Sequence, residues 1–343
     1  MILSDLVEHL RTSKDTMGLK DLHDIHQEIK RAIFIIELET TSVLSIYQQL
    51  NQLHDDVMKR ALLLAEQDIT KGSRPKKLCW VQFGSGARGE QTIKTDQDHG
   101  LLYQLSDEDS AACIPYVLSL SKLGTTYLHK VGYPYCSGNV MAINERWSKD
   151  AHSWLDDMTA YMKKCEPDDI TYLLIATDLK GLYGEKEWVR EIKDSLFSSF
   201  QTSPSLLKRL HQHLKNPKIA IGLFGNLLVE QYGEHSGKFN VKNGFYIPMV
   251  NAIKFLAITQ GITSSTTLDR LNALKETDMI PSSHLKDIFE ASLYFRLRAS
   301  LTENRDEKDY LNLATLSKEE KQLLHVRLKQ AKTFLHQLLR RQD

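Results

Sequence analysis

The sequence predicts an α+β protein in which a small mixed β-sheet is flanked by an N-terminal helical segment and a C-terminal helical bundle. Two short apolar segments on either side of a glycine turn, within residues 78–103, predict paired strands. Apolar residues recur at helical spacing before residue 70, and helical patterns continue from residue 185 almost to the end. A chain of 343 residues is long enough for two or three packed units. We expect three, at residues 1–70, 71–184 and 185–343.

The composition argues against a nucleic-acid-binding protein and against a membrane-spanning one. Lys+Arg and Asp+Glu both number 44, so the formal net charge is zero, which argues against a dedicated nucleic-acid binder. No uninterrupted apolar stretch approaches membrane-spanning length. We expect a cytoplasmic protein that binds neither nucleic acid nor membrane, and the sequence leaves its oligomeric state open. The four cysteines lack metal-type spacing and are expected to be free thiols: Cys79, Cys113, Cys136 and Cys165.

The N-terminal segment is predicted to be helical throughout. Its clearest apolar series advances in steps of four, four and three, which keeps the side chains on one helix face: Ile25, Ile29, Ile33 and Ile36. Nothing in this segment resembles a reactive constellation, so we expect it to serve packing and partner contacts. A polar run at residues 71–77 ends it.

The glycine turn follows a predicted strand from Leu78 to Phe83. Gly84-Ser85-Gly86 allows a sharp turn and a close approach of the backbone to a ligand. The residues that follow are able to start a helix, and free N–H groups at a helix N-terminus attract phosphate. The turn is therefore a candidate phosphate site.

Two acids stand at the head of the second predicted strand. Side chains alternate along a strand, so Asp96 and Asp98 project from one face while Gln97 and His99 project from the other. Neighbouring carboxylates repel, and a divalent cation removes that conflict. Mg²⁺ commonly takes one or two carboxylates together with substrate phosphates. The sequence therefore predicts a site for a metal-bound nucleoside triphosphate.

This pattern carries a family resemblance. Gly84-Ser85 followed ten residues later by Asp96-x-Asp98 resembles the signature of the DNA polymerase β-like nucleotidyltransferase superfamily. The wider string Phe-Gly-Ser-Gly-Ala-Arg-Gly-Glu (residues 83–90), with Thr-Asp-Gln-Asp (residues 95–98), is more specific. It resembles a set of nucleotidyltransferases that often carry CBS and cyclic-nucleotide-binding modules. These enzymes are related to the protein-PII uridylyltransferase and glutamine-synthetase adenylyltransferase group. The resemblance implies transfer of a nucleoside monophosphate to an acceptor hydroxyl, with release of pyrophosphate.

The resemblance also implies a third carboxylate. Residues 170–178 are predicted to form a strand that ends in Asp178, which matches the acid of an Asp-x-basic…Gly pattern. The pattern more commonly has Arg where this chain has Lys180, which offers a point charge without a bidentate fork. By the resemblance, Asp96 and Asp98 hold two Mg²⁺ ions, and Asp178 completes the second metal site and accepts the proton of the attacking hydroxyl. A helix N-cap is the structural alternative for Asp178.

The phosphates have their own candidate residues. The resemblance implies that Gly84 and Ser85 hold the β- and γ-phosphates of the triphosphate, and that Arg88 neutralises phosphate charge. A local salt bridge between Arg88 and Glu90 is the structural alternative, and the two roles are compatible.

Two further glycine-containing stretches match the family. Within residues 132–142, the string Gly-Asn-Val-Met-Ala resembles a family stretch that follows the active-site strand. We expect it to line the site, with Ser137 and Asn139 near the phosphates or base, and an ordinary helix–strand loop is an equal alternative. A Lys-x-Gly…Pro element begins at Lys242, which is able to reach a triphosphate. Its structural alternative is a solvated lysine.

The C-terminal part is predicted to be almost entirely helical. Ser317 and Glu320 have the spacing of a capping box at the start of the last helix. The expected helices cover residues 185–200, 203–216, 218–232, 247–260, 266–276, 282–303 and 317–341.

Three functional hypotheses follow. The first is a Mg²⁺-dependent nucleotidyltransferase that uses ATP or UTP and modifies a protein acceptor in a signalling or regulatory setting. The second is the same chemistry on a small molecule. The third is a non-catalytic nucleotide-binding regulatory or interaction module, and the presence of all three acids counts against it.

Overall fold

The structure, a computed structural model, describes residues 2–35, 41–105, 110–216, 218–274, 282–302 and 304–340. Contacts group the chain into two compact units, Met1–Ser199 and Phe200–Asp343. Each unit is described by itself below.

The first unit begins with three helices, α1 (Ile2–Ser13), α2 (Leu19–Ile35) and α3 (Val43–Gln67). The predicted apolar face of α2 is confirmed, because Ile25, Ile29 and Ile33 are buried. Ile36, the last member of that series, lies outside the described residues.

A four-stranded mixed sheet with its surrounding helices forms the rest of this unit. Strand β1 is antiparallel to both β2 and β4, and β2 is parallel to β3, in the spatial order β3-β2-β1-β4. This small mixed sheet among helices confirms the predicted α+β class. The elements are β1 (Lys77–Gln82), α4 (Gly84–Arg88), β2 (His99–Gln104), α5 (Ser110–Val131), β3 (Ser148–Asp150), α6 (Ala151–Lys164), α7 (Pro167–Ala176), β4 (Lys180–Gly184) and α8 (Lys186–Gln201), whose last residues enter the second unit.

The register brings three chain segments to one edge of the sheet. Gln82, the last residue of β1, pairs with His99 at the start of β2 and with Lys180 at the start of β4. The segment that follows β1 and the segments that precede β2 and β4 therefore meet at this edge.

The strand predicted over residues 170–178 is wrong, because helix α7 occupies Pro167–Ala176. Pro167 at the first helical turn suits a helix start, and the carboxylate of Asp169 accepts from the backbone N–H of Glu166 at 3.1 Å. A short apolar run reads equally as a buried strand or as one buried helix segment. Asp178 consequently lies between α7 and β4 rather than at the end of a strand.

Helix α6 follows β3 without a connecting loop. It begins at Ala151, directly after the strand at residues 148–150. The carboxylate of Asp150 accepts from the backbone N–H of His152 at 2.9 Å and so caps the helix.

The second unit is mainly helical. Its described α-helices and strands, with one π-helical turn, are α9 (Pro204–His213), β5 (Phe239–Asn240), the π-helical turn (Lys242–Tyr246), α10 (Ile247–Thr259), α11 (Thr267–Ala273), α12 (Ser282–Ser300), β6 (Tyr310–Leu311) and α13 (Lys318–Arg340). The capping box is confirmed, since the Glu320 N–H donates to Ser317 Oγ at 3.1 Å and the Ser317 N–H donates to Glu320 Oε2 at 2.8 Å. In neither unit do the described residues include a helix that is both long and apolar enough to cross a bilayer.

The helix predicted over residues 218–232 is wrong. Ile221 and Leu227 form an isolated antiparallel bridge, and the N–H of Gly222 donates to the carbonyl of Asn226 at 2.8 Å. Gly225 has φ of +85°, a left-handed conformation that a continuing α-helix does not contain. The glycines therefore break the apolar run into a turn.

Candidate active site

The glycine turn lies directly against one of the predicted acids. Gly84 has φ of +53°, and a Cβ atom at this position would lie 2.6 Å from Oδ2 of Asp98. The backbone N–H of Phe83 donates to the carbonyl of Asp98 at 2.9 Å. Both the backbone conformation and the close approach therefore require glycine at position 84.

The alternation predicted at the head of β2 is confirmed. Asp96 and Asp98 are partly exposed, whereas Gln97 and His99 are buried and joined by a 2.7 Å hydrogen bond. The backbone N–H of Ala142 donates to Nδ1 of His99, so Nε2 carries the proton and donates to Gln97 Oε1. Burial lowers the pKa of His99 to about 3, which keeps the ring neutral. Gln97 and His99 thus anchor the strand while the two acids face the other way.

Asp96 and Asp98 also border a very small cavity. It measures about 10 Å³, the size of one water molecule, and its lining includes Gly86 and Gln91 as well as the buried Gln97 and His99. The two acids and the segment after β1 are therefore neighbours, as the sheet register requires.

The stretch at residues 132–142 runs alongside the start of β2. The N–H of Gln97 donates to the carbonyl of Pro134, and the N–H of His99 donates to the carbonyl of Val140, both at 3.0 Å. Ser137 and Asn139 are exposed in the turn between these two contacts, and Asn139 has a left-handed φ of +56°. The turn that carries both residues is therefore held beside the start of β2. Contact of Ser137 or Asn139 with phosphates or base stays a prediction.

Cys136 is a neighbour of the site that the sequence did not indicate. Its thiol interacts with the carboxylate of Asp98, and burial together with that negative charge raises its pKa to about 11. The sequence offered only a cysteine without metal-type spacing. A thiol with this pKa is protonated at neutral pH, so it is able to donate a hydrogen bond to the carboxylate.

A buried cation joins the short helix to the third acid. Arg88 Nε donates to Glu90 Oε2 at 2.7 Å, and Arg88 Nη1 donates to Asp178 Oδ2 at 2.6 Å. All three side chains are buried. The local salt bridge to Glu90, an alternative at the sequence level, is present, and Arg88 extends it to Asp178.

Lys180 is engaged by the N-terminal helices. Its ammonium group pairs with Asp55 Oδ2 at 2.9 Å, and Asp55 Oδ1 accepts from Gln82 Nε2 at 3.2 Å. Lys180 therefore ties β4 to α3 through Asp55.

Helix α3 supports the segment between the glycine turn and the acids. Asn51 Nδ2 donates to the carbonyl of Gly89 at 2.7 Å, and Asn51 Oδ1 accepts from the N–H of Gln91 at 3.1 Å. Nε2 of His54 contacts the carbonyl of Thr92 at 3.2 Å. The sequence predicts packing and partner contacts for this helix and does not reveal this supporting role. The signal was the spacing of polar residues on an otherwise buried face: Asn51, His54 and Asp55.

The remaining candidate, Lys242, lies in the second unit. It starts the π-helical turn that precedes α10, and its ammonium group pairs with Asp309 at 3.5 Å. Its contact with a triphosphate stays a prediction.

The donor set decides what kind of metal site the residues suit. Across the described ranges, no group of three or more His, Cys, Asp or Glu side chains is arranged to hold a metal ion by itself. Asp96 and Asp98 supply two hard oxygen ligands, and Mg²⁺ usually completes its shell with phosphate oxygens and water. The residues therefore fit a cation that arrives with a triphosphate.

Two family models match the chain. The first, described as "Putative nucleotidyltransferase DUF294", matches residues 27–168, and the second, described as "Putative nucleotidyltransferase substrate binding domain", matches residues 204–342. Together they cover most of the chain. The chain belongs to this nucleotidyltransferase family. A comparison with curated proteins found no match.

The two nucleotidyltransferase matches divide the candidate residues unevenly. The first spans α3, the glycine turn, Asp96, Asp98 and the turn with Asn139. Lys242 falls in the second, and Asp178 lies between the two matches. The case for Asp178 therefore rests on its place before β4 and on its bond to Arg88.

Proposed function

We propose that this family member is a Mg²⁺-dependent nucleotidyltransferase that moves a nucleoside monophosphate from ATP or UTP to a hydroxyl group on a protein acceptor. The general reaction class agrees with both family matches. The metal, the nucleotide, the acceptor and a regulatory setting are parts of the proposal.

One observation carries the site assignment. The glycine turn after β1, the two acids before β2 and Asp178 before β4 converge at one edge of the sheet, because Gln82 pairs with both His99 and Lys180. A phosphate-binding turn beside carboxylates is the chemistry that a triphosphate with its cation requires.

Each group then has a role in the proposal. Backbone N–H groups at Gly84 and Ser85 bind phosphate oxygens, and Ser137 and Asn139 contact the nucleotide from the neighbouring turn. Asp178 accepts the proton of the attacking hydroxyl. Arg88 holds Asp178 in place, so we assign Arg88 as a positioning residue.

Asp96 and Asp98 would hold the Mg²⁺. When bound, the ion supplies positive charge that offsets the triphosphate and orients its oxygens. The proposal also includes a second ion, of which Asp178 would be a ligand. Asp178 would then share its carboxylate between that ion and Arg88.

Calorimetric titration tests the proposal. ATP, UTP, GTP and CTP are titrated into the wild type and into an Asp96→Asn/Asp98→Asn variant, each with and without Mg²⁺. We expect Mg²⁺-dependent binding of at least one triphosphate, and loss of that binding in the variant. The control is Asp156→Asn, which removes an exposed carboxylate of the same unit and should bind like the wild type.

The titration has two outcomes that contradict the proposal. One is no binding of any triphosphate to the wild type at millimolar concentration. The other is equal binding by the wild type and the double variant. Transfer of an α-phosphate label from the bound nucleotide to a protein acceptor, and not to small molecules, then tests the acceptor class.

A further inference from the structure

A pocket in the second unit is lined by none of the residues assigned to the proposed reaction. It has a volume of about 410 Å³, within the size range of small-molecule sites. It lies among the residues after α9, the turn that replaces the predicted helix, and the last turns of α13. Six aliphatic side chains form its wall: Leu214, Ile219, Ile221, Leu228, Leu335 and Leu339.

The polar side chains that line this pocket are basic. They are Lys215, Lys218, Lys332 and His336, and no Asp or Glu is among the described residues of the lining. The ion pairs found in the described part of the chain involve none of these three lysines. Positive charge beside an aliphatic wall complements a ligand with an anionic head and an apolar body.

Lys332 is the best-placed of the three. Its ammonium group donates to the carbonyl of Ile221 at 3.0 Å and to the carbonyl of Gly222 at 3.2 Å. These two bonds fix the head of a half-buried side chain at the wall. An ammonium group has three donors, so one N–H remains for a ligand oxygen.

We propose that this pocket binds a small aliphatic anion, a carboxylate or a phosphate monoester whose hydrocarbon chain lies on the six aliphatic side chains. The described lining contains no Phe, Tyr or Trp on which a nucleobase would stack, so an aliphatic body fits better than a nucleotide. This inference is independent of the proposed transferase reaction, and its test uses no nucleotide.

Calorimetry of the full chain tests the ligand class with four probes: octanoate, octyl phosphate, 1-octanol and acetate. We expect octanoate and octyl phosphate to bind, and 1-octanol and acetate to bind at least tenfold more weakly, since each lacks one of the two parts. Whichever anion binds more tightly identifies the preferred head group.

Variants locate the site. Lys215→Met/Lys218→Met changes two exposed side chains and should weaken octanoate binding about tenfold or more at an unchanged thermal midpoint. Lys332→Met should weaken binding similarly, although it also releases two carbonyls, so the double variant is the safer test. Lys329→Met is the matched control, because Lys329 is exposed on the same helix and does not line the pocket.

Three results would overturn the inference. They are absence of octanoate and octyl phosphate binding at millimolar concentration, equal affinity for 1-octanol and octanoate, and unchanged octanoate affinity in the double lysine variant.

Discussion

The guanidinium group of Arg88 bonds to Asp178 Oδ2 at 2.6 Å, which joins the short helix after β1 to the residue before β4 across 90 positions of sequence. Arg88 also bonds to Glu90, so one buried cation serves two buried carboxylates. The arrangement holds the third predicted acid at the sheet edge where the glycine turn and the first two acids meet.

Removal of the Arg88 guanidinium group should lower the free energy of unfolding. Arg88→Met leaves Glu90 and Asp178 without the charge they share, and breaking a buried ion pair by removing one partner typically costs about 3–5 kcal/mol. Urea unfolding measures the loss. The control is Arg190→Met, which breaks an exposed pair with Glu187 and should cost less than about 1 kcal/mol. Equal losses in the two variants would show that the buried pair is not a stabilising link.

The glycine at position 84 should be irreplaceable for binding. Gly84→Ala places a methyl group 2.6 Å from Asp98 Oδ2 and also forces alanine into a left-handed conformation. Gly237→Ala isolates the second effect, because Gly237 has φ of +78° with nothing within 4 Å of the added atom. In both variants the free energy of unfolding should fall by about 1 kcal/mol, because alanine is strained in this backbone conformation.

Only Gly84→Ala should also lose Mg²⁺-dependent nucleotide binding, because only there does the new methyl group displace Asp98. Titration of the two variants side by side measures this difference. Nucleotide affinity in Gly84→Ala equal to that in Gly237→Ala would place the ligand away from this turn.

Local patterns were sufficient to predict this part of the site. The glycine turn depends on the conformational freedom of neighbouring residues, and the orientation of Asp96 and Asp98 depends on strand alternation, so both are visible over a short stretch of chain. The bond from Arg88 to Asp178 is not visible in any short stretch of chain. The two residues are 90 positions apart, and only the register of β1 and β4 brings them together.

The support from α3 should be measurable. Asn51→Ala leaves the carbonyl of Gly89 and the N–H of Gln91 without their partner, and an unsatisfied buried polar group costs about 1–3 kcal/mol. We expect lower stability in urea together with weaker nucleotide binding, since the segment between the turn and the acids is no longer held. Gln52→Ala, the exposed neighbour on the same helix, should change stability by less than about 0.5 kcal/mol. An Asn51→Ala variant with wild-type nucleotide affinity would contradict the supporting role.

Two features of this unit are not visible in its local sequence patterns. The apolar residues of α3 predict packing, which is confirmed, but polar atoms of the helix also bond to backbone groups far along the chain. The sequence predicts a strand over residues 170–178 because a short apolar run does not reveal its period. The features that favour a helix for α7 are Pro167 and the bond from the Glu166 N–H to Asp169. Both lie at the start of the helix, outside the apolar residues themselves.

Buried histidines should make the protein less stable in acid. Burial lowers the pKa of His54 to about 4, from about 6.5 in an unfolded chain, while the bond to Thr92 and the charge of Asp55 oppose the shift. Between these values the unfolded chain binds the proton more readily. The stability that neutral His54 contributes is therefore complete above about pH 6.5, and it is lost as the pH falls towards 4.

The expected loss is about 1.4 kcal/mol per pH unit for each such group, or about 3 kcal/mol across the window for His54. His26 and His99 have pKa values lowered by burial as well, so the wild type should take up more than one proton on unfolding. Urea unfolding at a series of pH values measures that number from the slope of stability against pH. His54→Gln should reduce the slope by close to one proton, whereas His152→Gln, an exposed control, should leave it unchanged. The same slope in the wild type and His54→Gln would show that His54 titrates alike in the folded and unfolded chains.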